Sequence, residues 1–201
     1  MSANKDYPSL PLGEFLADLA GRSPTPGGGS VAALVGALAA AQAPMVIEYT
    51  VGKARWAEKE PRLRELLEEF KRARDMFVQL MSEDMAAYER LAASGRADDA
   101  GERERAVAVA AAVPMEVVAL ASAVAARLDE IKSFVNPYLL SDLHVAAVLA
   151  HAAARSAGMN VRINLDQLAD RKEAEQLANQ LDTLLARTAR HHDAVVQYQA
   201  R

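Results

Sequence analysis

The run VAALVGALAAAQAPMVI at residues 31–47 decides whether this chain crosses a membrane or folds around its own core. It is slightly shorter than the roughly 20 apolar residues that a transmembrane helix needs. It also contains Gln42 and Pro44, and it leads directly into Glu48. We therefore expect a buried core helix and no membrane partner.

Small residues recur along this segment at four-residue spacing, as Gly29, Ala33, Ala37 and Ala41. The alanines alone have a simple explanation, because alanine is a good helix former. The glycines at positions 29 and 36 favour a packing role, since a residue without a side chain lets another group approach the backbone closely. The pattern predicts a helix at the centre of a bundle or at a subunit contact.

The flanking sequence predicts further helices and no strands. No alternation of apolar and polar residues persists along the chain, and no long linker or repeat is evident. We predict one domain over residues 1–201 with an all-α fold, a helical bundle. The six predicted helices cover residues 12–20, 30–52, 58–93, 98–134, 141–157 and 166–198.

Local signals set several of the predicted helix ends. Ser30 follows a glycine-rich loop and is a good N-cap for the second helix, which Pro44 should kink. Pro61 falls in the first turn of the third helix, where proline is well tolerated. Gly158 is predicted to end the fifth helix.

Composition excludes several classes of function. Hydrophobic residues make up 51% of the chain but aromatic residues only 5%, so alanine, leucine and valine carry the core, as in helical proteins. The net charge of −4 argues against a nucleic-acid partner, which needs clustered lysine and arginine. Without cysteine there is no disulfide, thiolate metal site or thiol nucleophile. The first residues lack the pattern of a signal peptide, so we expect a cytoplasmic protein.

The third helix carries an acid where its core stripe calls for an apolar residue. Leu63, Phe70, Phe77 and Leu91 follow a seven-residue repeat, and Asp84 occupies the position between the last two. Burying an unpaired carboxylate is costly, so Asp84 must be paired, protonated or part of a pocket. Two explanations fit this pattern equally well. Asp84 is either a structural acid, held by a cation or a helix end, or a functional acid.

The loop SPTPGGGS at residues 23–30 leads directly into the second helix. Pro26, Gly27, Gly28, Gly29 and Ser30 combine close backbone approach with the free amides of a helix N-terminus, which attract anions. A phosphate-binding P-loop is not supported, because no Gly-Lys-Ser/Thr follows and no strand precedes. By itself the loop is a weak signal, and a tight connection between helices is the more common explanation.

Polar residues near the ends of the fifth predicted helix have ordinary explanations. Asn136 precedes a proline, and Ser141 and Asp142 follow as a helix cap and a first-turn acid. Asn160 and Asn164 come after Gly158, where turn chemistry accounts for them.

Neither the histidines nor Lys53 define a site on their own. His144 and His151 share a face of the fifth helix, and His191 and His192 lie near the C-terminus, but no Glu-x-x-His or HExxH pattern accompanies them. We therefore predict no metal site. Lys53 follows a glycine and reads by default as a solvated side chain.

Four fragments together resemble the cyclodeaminase/methenyltetrahydrofolate cyclohydrolase family, whose relatives also form the C-terminal domain of formiminotransferase-cyclodeaminase. They are PTPGGGSVAALVGALAAAQAPMV followed by TVGKARW within residues 24–56, DMAAY at 84–88, NPYLLSD at 136–142 and NVRIN at 160–164. The likeness runs through nearly the whole chain in order and spacing, which makes it far more specific than any single motif.

The resemblance implies an all-helical homodimer that binds a folate substrate between helices and needs no cofactor. It implies one or both of two reactions. In the first, 5-formiminotetrahydrofolate cyclises to 5,10-methenyltetrahydrofolate with loss of ammonia. In the second, the methenyl compound is hydrolysed to 10-formyltetrahydrofolate.

On this resemblance we assign hypothetical roles. Asp84 is the general base for water or the proton relay of the cyclisation, Lys53 stabilises the intermediate or protonates the leaving nitrogen, and Asp142 holds a pterin or amidinium N–H. Neutral hydrogen bonds and the glycine-loop amides would bind the rest of the substrate. The residues in this binding set are Pro26, Gly27, Gly28, Gly29, Ser30, Asn136, Ser141, Asn160 and Asn164.

An inactive helical dimer that binds folate or a partner protein is the competing interpretation. Its support lies in departures from the family pattern. Ala54 and Arg55 follow Lys53 where the family often has a second lysine, and LAASGRADDAG replaces a Leu-Pro-Lys segment that commonly follows the region matching DMAAY. Leu143 and His144 stand where the family has small residues.

Overall fold

The computed structural model describes residues 5–95 and 99–199. Six α-helices form one bundle, and the described ranges contain no strand, so the all-α fold is confirmed. Three short 3-10 helices, at Tyr7–Ser9, Ala54–Lys59 and Pro137–Leu139, join them. The α-helices are α1 (Leu12–Leu19), α2 (Gly28–Glu48), α3 (Glu60–Ser94), α4 (Ala100–Ile131), α5 (Leu140–Leu165) and α6 (Arg171–Val196).

Helix α2 lies at the centre of the bundle and packs against α3 on one side and α5 on the other. Its small residues allow this close packing: a Cβ atom at Gly36 would lie 2.4 Å from the ring of Phe77 on α3. Ala33 and Ala37 are buried beside it, whereas Ala41 is exposed. The predicted central position is confirmed.

Helices α2 and α5 run antiparallel. At one end, the Cβ position of Gly28 lies 3.5 Å from the side-chain amide of Asn160. At the other, the side-chain amide of Gln42 donates a hydrogen bond of 2.9 Å to Asp142 Oδ1. This register places the glycine loop beside the end of α5 and residues 136–142 beside the end of α2.

Within the part of the chain that the structure describes, two helices are long and apolar enough to span a membrane by length and composition alone, Gly28–Glu48 and Gly101–Ile131. In the bundle, 56% of the first apolar stretch and 61% of the second are buried. Both therefore pack as core helices do, which is how the run at residues 31–47 was interpreted.

The structure corrects two predicted features. The fifth helix does not end at Gly158, because that glycine is buried against Leu181 and Leu185 of α6 and the helix continues to Leu165. Asn160 and Asn164 therefore belong to a helix and not to a turn. Ser30 is not the N-cap of α2, since Gly27 holds that position and Ser30 is fully buried inside the first turn.

Candidate active site

Asp84 on α3 lies directly against the first turn of α2. The Ser30 hydroxyl donates a hydrogen bond of 2.9 Å to Asp84 Oδ2, and the Ser30 backbone N–H is a second donor to the same carboxylate. A Cβ atom at Gly29 would lie 1.9 Å from Asp84 Oδ1, so only glycine leaves room for the acid. The carboxylate makes no ion pair within the described residues.

Burial is the main influence on the Asp84 carboxyl. Removal from water raises its pKa, and the two hydrogen bonds from Ser30 oppose this because they favour the charged form. The net pKa lies above the ordinary aspartate value. A carboxyl of this kind exchanges protons closer to neutral pH than an exposed one, which suits a general acid or base.

A cavity of about 290 Å³ opens beside this carboxylate. Its wall is built from the glycine loop, one face of α3, and parts of α4 and α5. The described lining residues include no lysine or arginine, so Asp84 is the charged group of this wall. The lining residues are Pro24, Thr25, Gly27, Gly28, Gly29, Asp84, Ala87, Tyr88, Leu91, Ala110, Asn160, Ile163, Asn164 and Gln167.

Two asparagines of α5 face this cavity one turn apart. The Asn164 side-chain N–H donates a hydrogen bond of 2.6 Å to the carbonyl of Ala110, which fixes its amide and points the group between α5 and α4. The Asn160 side-chain N–H donates a longer bond, 3.4 Å, to Ser156 O of the preceding turn. The Asn160 amide therefore keeps more of its hydrogen-bonding capacity for a ligand.

The other predicted site residues gather at the opposite end of α2. Asp142 accepts the hydrogen bond from Gln42 and lies in the first turn of α5, as predicted. The Asn136 backbone N–H donates to Thr50 Oγ1 at 3.0 Å, and its side chain caps the short helix Pro137–Leu139. Ser141 and Lys53 are exposed.

Within one chain, the predicted site residues therefore fall into two separate groups. From Gly29 to Gln42 the axis of α2 rises about 20 Å at 1.5 Å per residue. Asp84, the glycine loop, Asn160 and Asn164 form the first group, which we call the acid cavity. Asp142, Asn136, Ser141 and Lys53 form the second, which we call the Ser-Asp corner.

Sequence reasoning missed several residues of the acid cavity. Tyr88 lies one turn after Asp84 on the same face of α3, and Ile163 and Gln167 line the wall from α5 and the loop after it. The DMAAY fragment contains Tyr88 and signalled its place. Gln42, a polar residue in the long apolar run, signalled the contact with Asp142 in the same way.

Three of the four histidines make contacts outside both groups. His151 and His192 stack with ring centroids 4.6 Å apart, and His191 binds Asp129 at 2.8 Å. Within residues 5–95 and 99–199, no set of three or more histidine, aspartate or glutamate side chains is arranged to hold a metal ion.

The small cavity holds one partly buried acid beside neutral amides, which is a candidate site for acid–base chemistry on a small molecule. The fold and the site together define the class: an all-helical protein with an acid–base site for a small-molecule ligand. Comparison with known proteins narrows this class. The sequence profile of the formiminotransferase-cyclodeaminase family matches residues 11–183. The chain belongs to this family, which confirms the resemblance drawn from the four fragments.

Three relatives show how far the similarity extends. A methenyltetrahydrofolate cyclohydrolase of Methylorubrum extorquens is 33% identical over 86% of this chain and 87% of its own length. The formimidoyltransferase-cyclodeaminase of Rattus norvegicus is 31% identical over 87% of this chain but only 34% of its own length. The crystal structure of a formiminotetrahydrofolate cyclodeaminase from Thermotoga maritima matches with a TM-score of 0.87 and 32% identity, over 95% of this chain and 98% of the other.

Proposed function

We propose that this chain is a folate one-carbon enzyme that hydrolyses 5,10-methenyltetrahydrofolate, cyclises 5-formiminotetrahydrofolate, or does both. The observation that carries the proposal is the acid cavity, in which Asp84 is the charged wall residue and no described lysine or arginine is present. In both substrates the reacting carbon lies in a cationic N–C–N group. A partly buried carboxylate attracts such a cation and can move its protons. The names of the relatives support the same chemistry.

In the hydrolysis, Asp84 acts as the general base. Its carboxylate takes a proton from water as the oxygen bonds to the methenyl carbon, which neutralises the cation and gives a tetrahedral adduct. The proton then passes to N5, the bond between N5 and the carbon breaks, and the adduct hydroxyl releases its proton as the C=O bond of the formyl group forms on N10. Water and the methenyl cation thus give 10-formyltetrahydrofolate and one proton.

In the cyclisation the same carboxylate relays a proton. N10 attacks the carbon of the protonated formimino group on N5, and Asp84 takes the N10 proton. It returns the proton to the former imino nitrogen, which leaves as ammonia when its bond to the carbon breaks. The product is the methenyl cation, so charge and atoms balance. No cofactor enters either route.

The size of the acid cavity limits what it can enclose. At about 290 Å³ it lies just below the roughly 300–1,000 Å³ of pockets that bury a whole drug-sized ligand. We infer that the reacting rings enter the cavity and that the rest of the substrate lies outside it. The Ser30 N–H already binds Asp84, so the first amides of α2 serve this acid more than an anionic part of the substrate.

A homodimer would explain why the predicted site is split. Exposed apolar residues follow one face of α5, as Val145, Val148, Met159 and Ile163, and Leu38 lies level with Val148 on the antiparallel α2. A patch of this kind marks an interface. We propose that a second copy covers it about a two-fold axis, so that α2 of each protomer runs antiparallel to the other.

This arrangement brings the Ser-Asp corner of one protomer to the acid cavity of its partner. An isologous interface pairs each surface with itself, so residues at one end of α2 meet residues at the other end in the second copy. Lys53 and Asp142 would then reach the substrate held by the partner's Asp84, in the roles of proton donor and N–H acceptor. Tyr138, with 92% of its surface exposed, lies beside this corner and would be covered in the dimer.

An absorbance assay with both folate substrates tests the proposed function. We expect the purified protein to consume 5,10-methenyltetrahydrofolate faster than the spontaneous rate, or to form it from 5-formiminotetrahydrofolate with release of ammonia. If neither rate exceeds the background while folate still raises the melting temperature, the chain is a binder and not an enzyme. If folate changes neither the rates nor the melting temperature, the folate assignment itself is wrong.

A further inference from the structure

A second cavity, of about 580 Å³, lies at the end of the molecule away from Asp84. The short helix Ala54–Lys59 forms one wall, and Ser133 and Phe134, which follow α4, form the other. Glu58 is the acidic residue among its described lining. We call this the basic cavity, because Arg55 and Lys59 line it. None of its lining residues has a role in the proposed folate reactions.

Each cation of the basic cavity rests on an aromatic ring. The Arg55 guanidinium lies 4.7 Å from the centroid of the Trp56 ring, and Lys59 Nζ lies 5.8 Å from the Phe134 ring. Such contacts hold a cation in place electrostatically without using its hydrogen-bond donors. The positions of the two charges are therefore partly set before any ligand arrives, which reduces the ordering cost of binding.

The donors of both cations are free for a ligand. Neither Arg55 nor Lys59 forms an ion pair or a side-chain hydrogen bond with any residue that the structure describes. Other basic side chains nearby behave differently, since Arg64 binds Glu60 and Lys132 binds Asp129. An arginine presents up to five N–H donors and a lysine three, and all of these are available here.

The local charge is opposite to that of the whole chain. The chain carries a net charge of −4, whereas the basic cavity carries two cations against the single Glu58. An uncompensated positive site on an acidic protein concentrates anions locally.

We propose that the basic cavity binds a small polyanion, a molecule with two or more closely spaced carboxylate or phosphate groups. The guanidinium of Arg55 engages one anionic group through paired N–H donors, and Lys59 engages the next as a point charge. Helix α2 holds this site about 30 Å from the glycine loop of the same chain, given 21 residues at 1.5 Å each. One folate in the acid cavity of that chain does not reach it.

Trp56, the sole tryptophan of the chain, reports on this site directly. A ligand that engages Arg55 changes the environment of the indole, so tryptophan fluorescence of the intact protein should change and saturate. Tripolyphosphate and propane-1,2,3-tricarboxylate are the two probes, titrated at constant ionic strength. Saturation with one probe only assigns the site to phosphates or to carboxylates, and saturation with both assigns it to polyanions in general.

Three variants make the test specific. The double variant Arg55→Gln, Lys59→Gln should raise the Kd by about tenfold or more, because two exposed charge pairs are lost. Glu58→Gln should lower the Kd, since it removes the opposing charge. Arg64→Gln, which removes one positive charge at an arginine already paired with Glu60, should leave the Kd unchanged.

Two results would overturn the proposal. One is a fluorescence change that does not saturate with either probe. The other is an equal Kd for the wild type, the double variant and Glu58→Gln, with circular dichroism showing that each is folded. All four changed side chains lie at the surface, so loss of the fold is not expected to obscure the result.

Discussion

At the scale of single residues, the Asp84 carboxylate packs directly against the backbone of Gly29, in the space that a side chain at position 29 would fill. A methyl group at position 29 would overlap Asp84 Oδ1 at 1.9 Å, and the acid can move only by breaking its bonds with Ser30. We expect Gly29→Ala to lower kcat/KM by about a hundredfold, the effect of a misplacement of roughly 1 Å in a catalytic group. Steady-state kinetics on the folate substrates measures this change.

Gly13→Ala is the matched control, because nothing lies within 4 Å of a Cβ atom at that position of α1. The same substitution there should leave the rate unchanged. An active Gly29→Ala enzyme with normal kcat/KM would show that the contact between the glycine loop and Asp84 does not position the acid.

The raised pKa of Asp84 predicts a pH-dependent stability. The folded state binds the Asp84 proton more tightly than the unfolded chain, whose aspartates titrate at about pH 3.9. Between that pH and the raised folded pKa, folding takes up a proton, so the contribution of Asp84 to the free energy of unfolding falls as pH rises. Relative to the wild type, Asp84→Asn should therefore become more stable from acidic to neutral pH.

Urea unfolding of both proteins at several pH values measures this difference. Asp75→Asn, which removes an exposed acid from the same helix, controls for the change in net charge. A difference between Asp84→Asn and the wild type that stays constant with pH would mean that burial does not raise the pKa of Asp84.

At the scale of helices, the contact between α2 and α3 depends on Gly36. Its Cβ position lies 2.4 Å from the Phe77 ring, so Gly36→Ala forces the two helices apart. We expect a loss of about 1–3 kcal/mol in the free energy of unfolding, the usual cost of overpacking, even though alanine is the better helix former. Denaturant unfolding gives the value.

Phe77→Leu, which makes the opposing side chain smaller, tests whether the clash with Phe77 causes the loss of stability in Gly36→Ala. In that background Gly36→Ala should cost less, with a coupling of about 0.5–3 kcal/mol between the two changes. Strictly additive effects would show that the helix contact is not what Gly36 protects.

Much of the helix packing could be predicted from the sequence. The small-residue face of α2 predicted its central place, and the seven-residue repeat of α3 placed Asp84 on the same face as Phe70 and Phe77. The end of α5 could not be predicted from the sequence, because burial of Gly158 against α6 outweighs the weak helix propensity of glycine. Ser30 was misassigned for a similar reason: its hydroxyl binds an acid 54 residues away, a contact that no local pattern reveals.

At the scale of the whole molecule, the four fragments of the family resemblance named the candidate site residues but not the distances between them. Sequence order placed Asp84, Lys53 and Asp142 in one site, whereas the bundle holds Asp84 at one end of α2 and Asp142 at the other. An antiparallel register between α2 and α5 fixes this separation, and pairing between distant helices is not encoded in any single segment. The homodimer and the cytoplasmic location stay predictions.

Mixing two inactive variants tests the shared site of the proposed dimer. Asp84→Asn and Lys53→Met should each have low activity alone. After unfolding and refolding together, half of the dimers combine one chain of each kind and contain one intact site of two, so activity should return to about a quarter of the wild-type value. Recovery is measured against each variant refolded with itself.

No recovery on mixing would place both groups in the same chain or show that the copies do not associate, and light scattering separates these outcomes. Full activity of Lys53→Met alone would return Lys53 to an ordinary solvated side chain.

The most direct test of the central claim is the turnover of Asp84→Asn with 5,10-methenyltetrahydrofolate, corrected for spontaneous hydrolysis. The variant keeps the size of the side chain and an oxygen that can accept the Ser30 hydrogen bond, but it removes the proton acceptor. We predict a folded protein whose kcat is lower by about 10²–10⁴-fold, the usual contribution of a general acid or base. Turnover close to that of the wild type would contradict the account, and Asp84 would then be a structural acid that secures the start of α2.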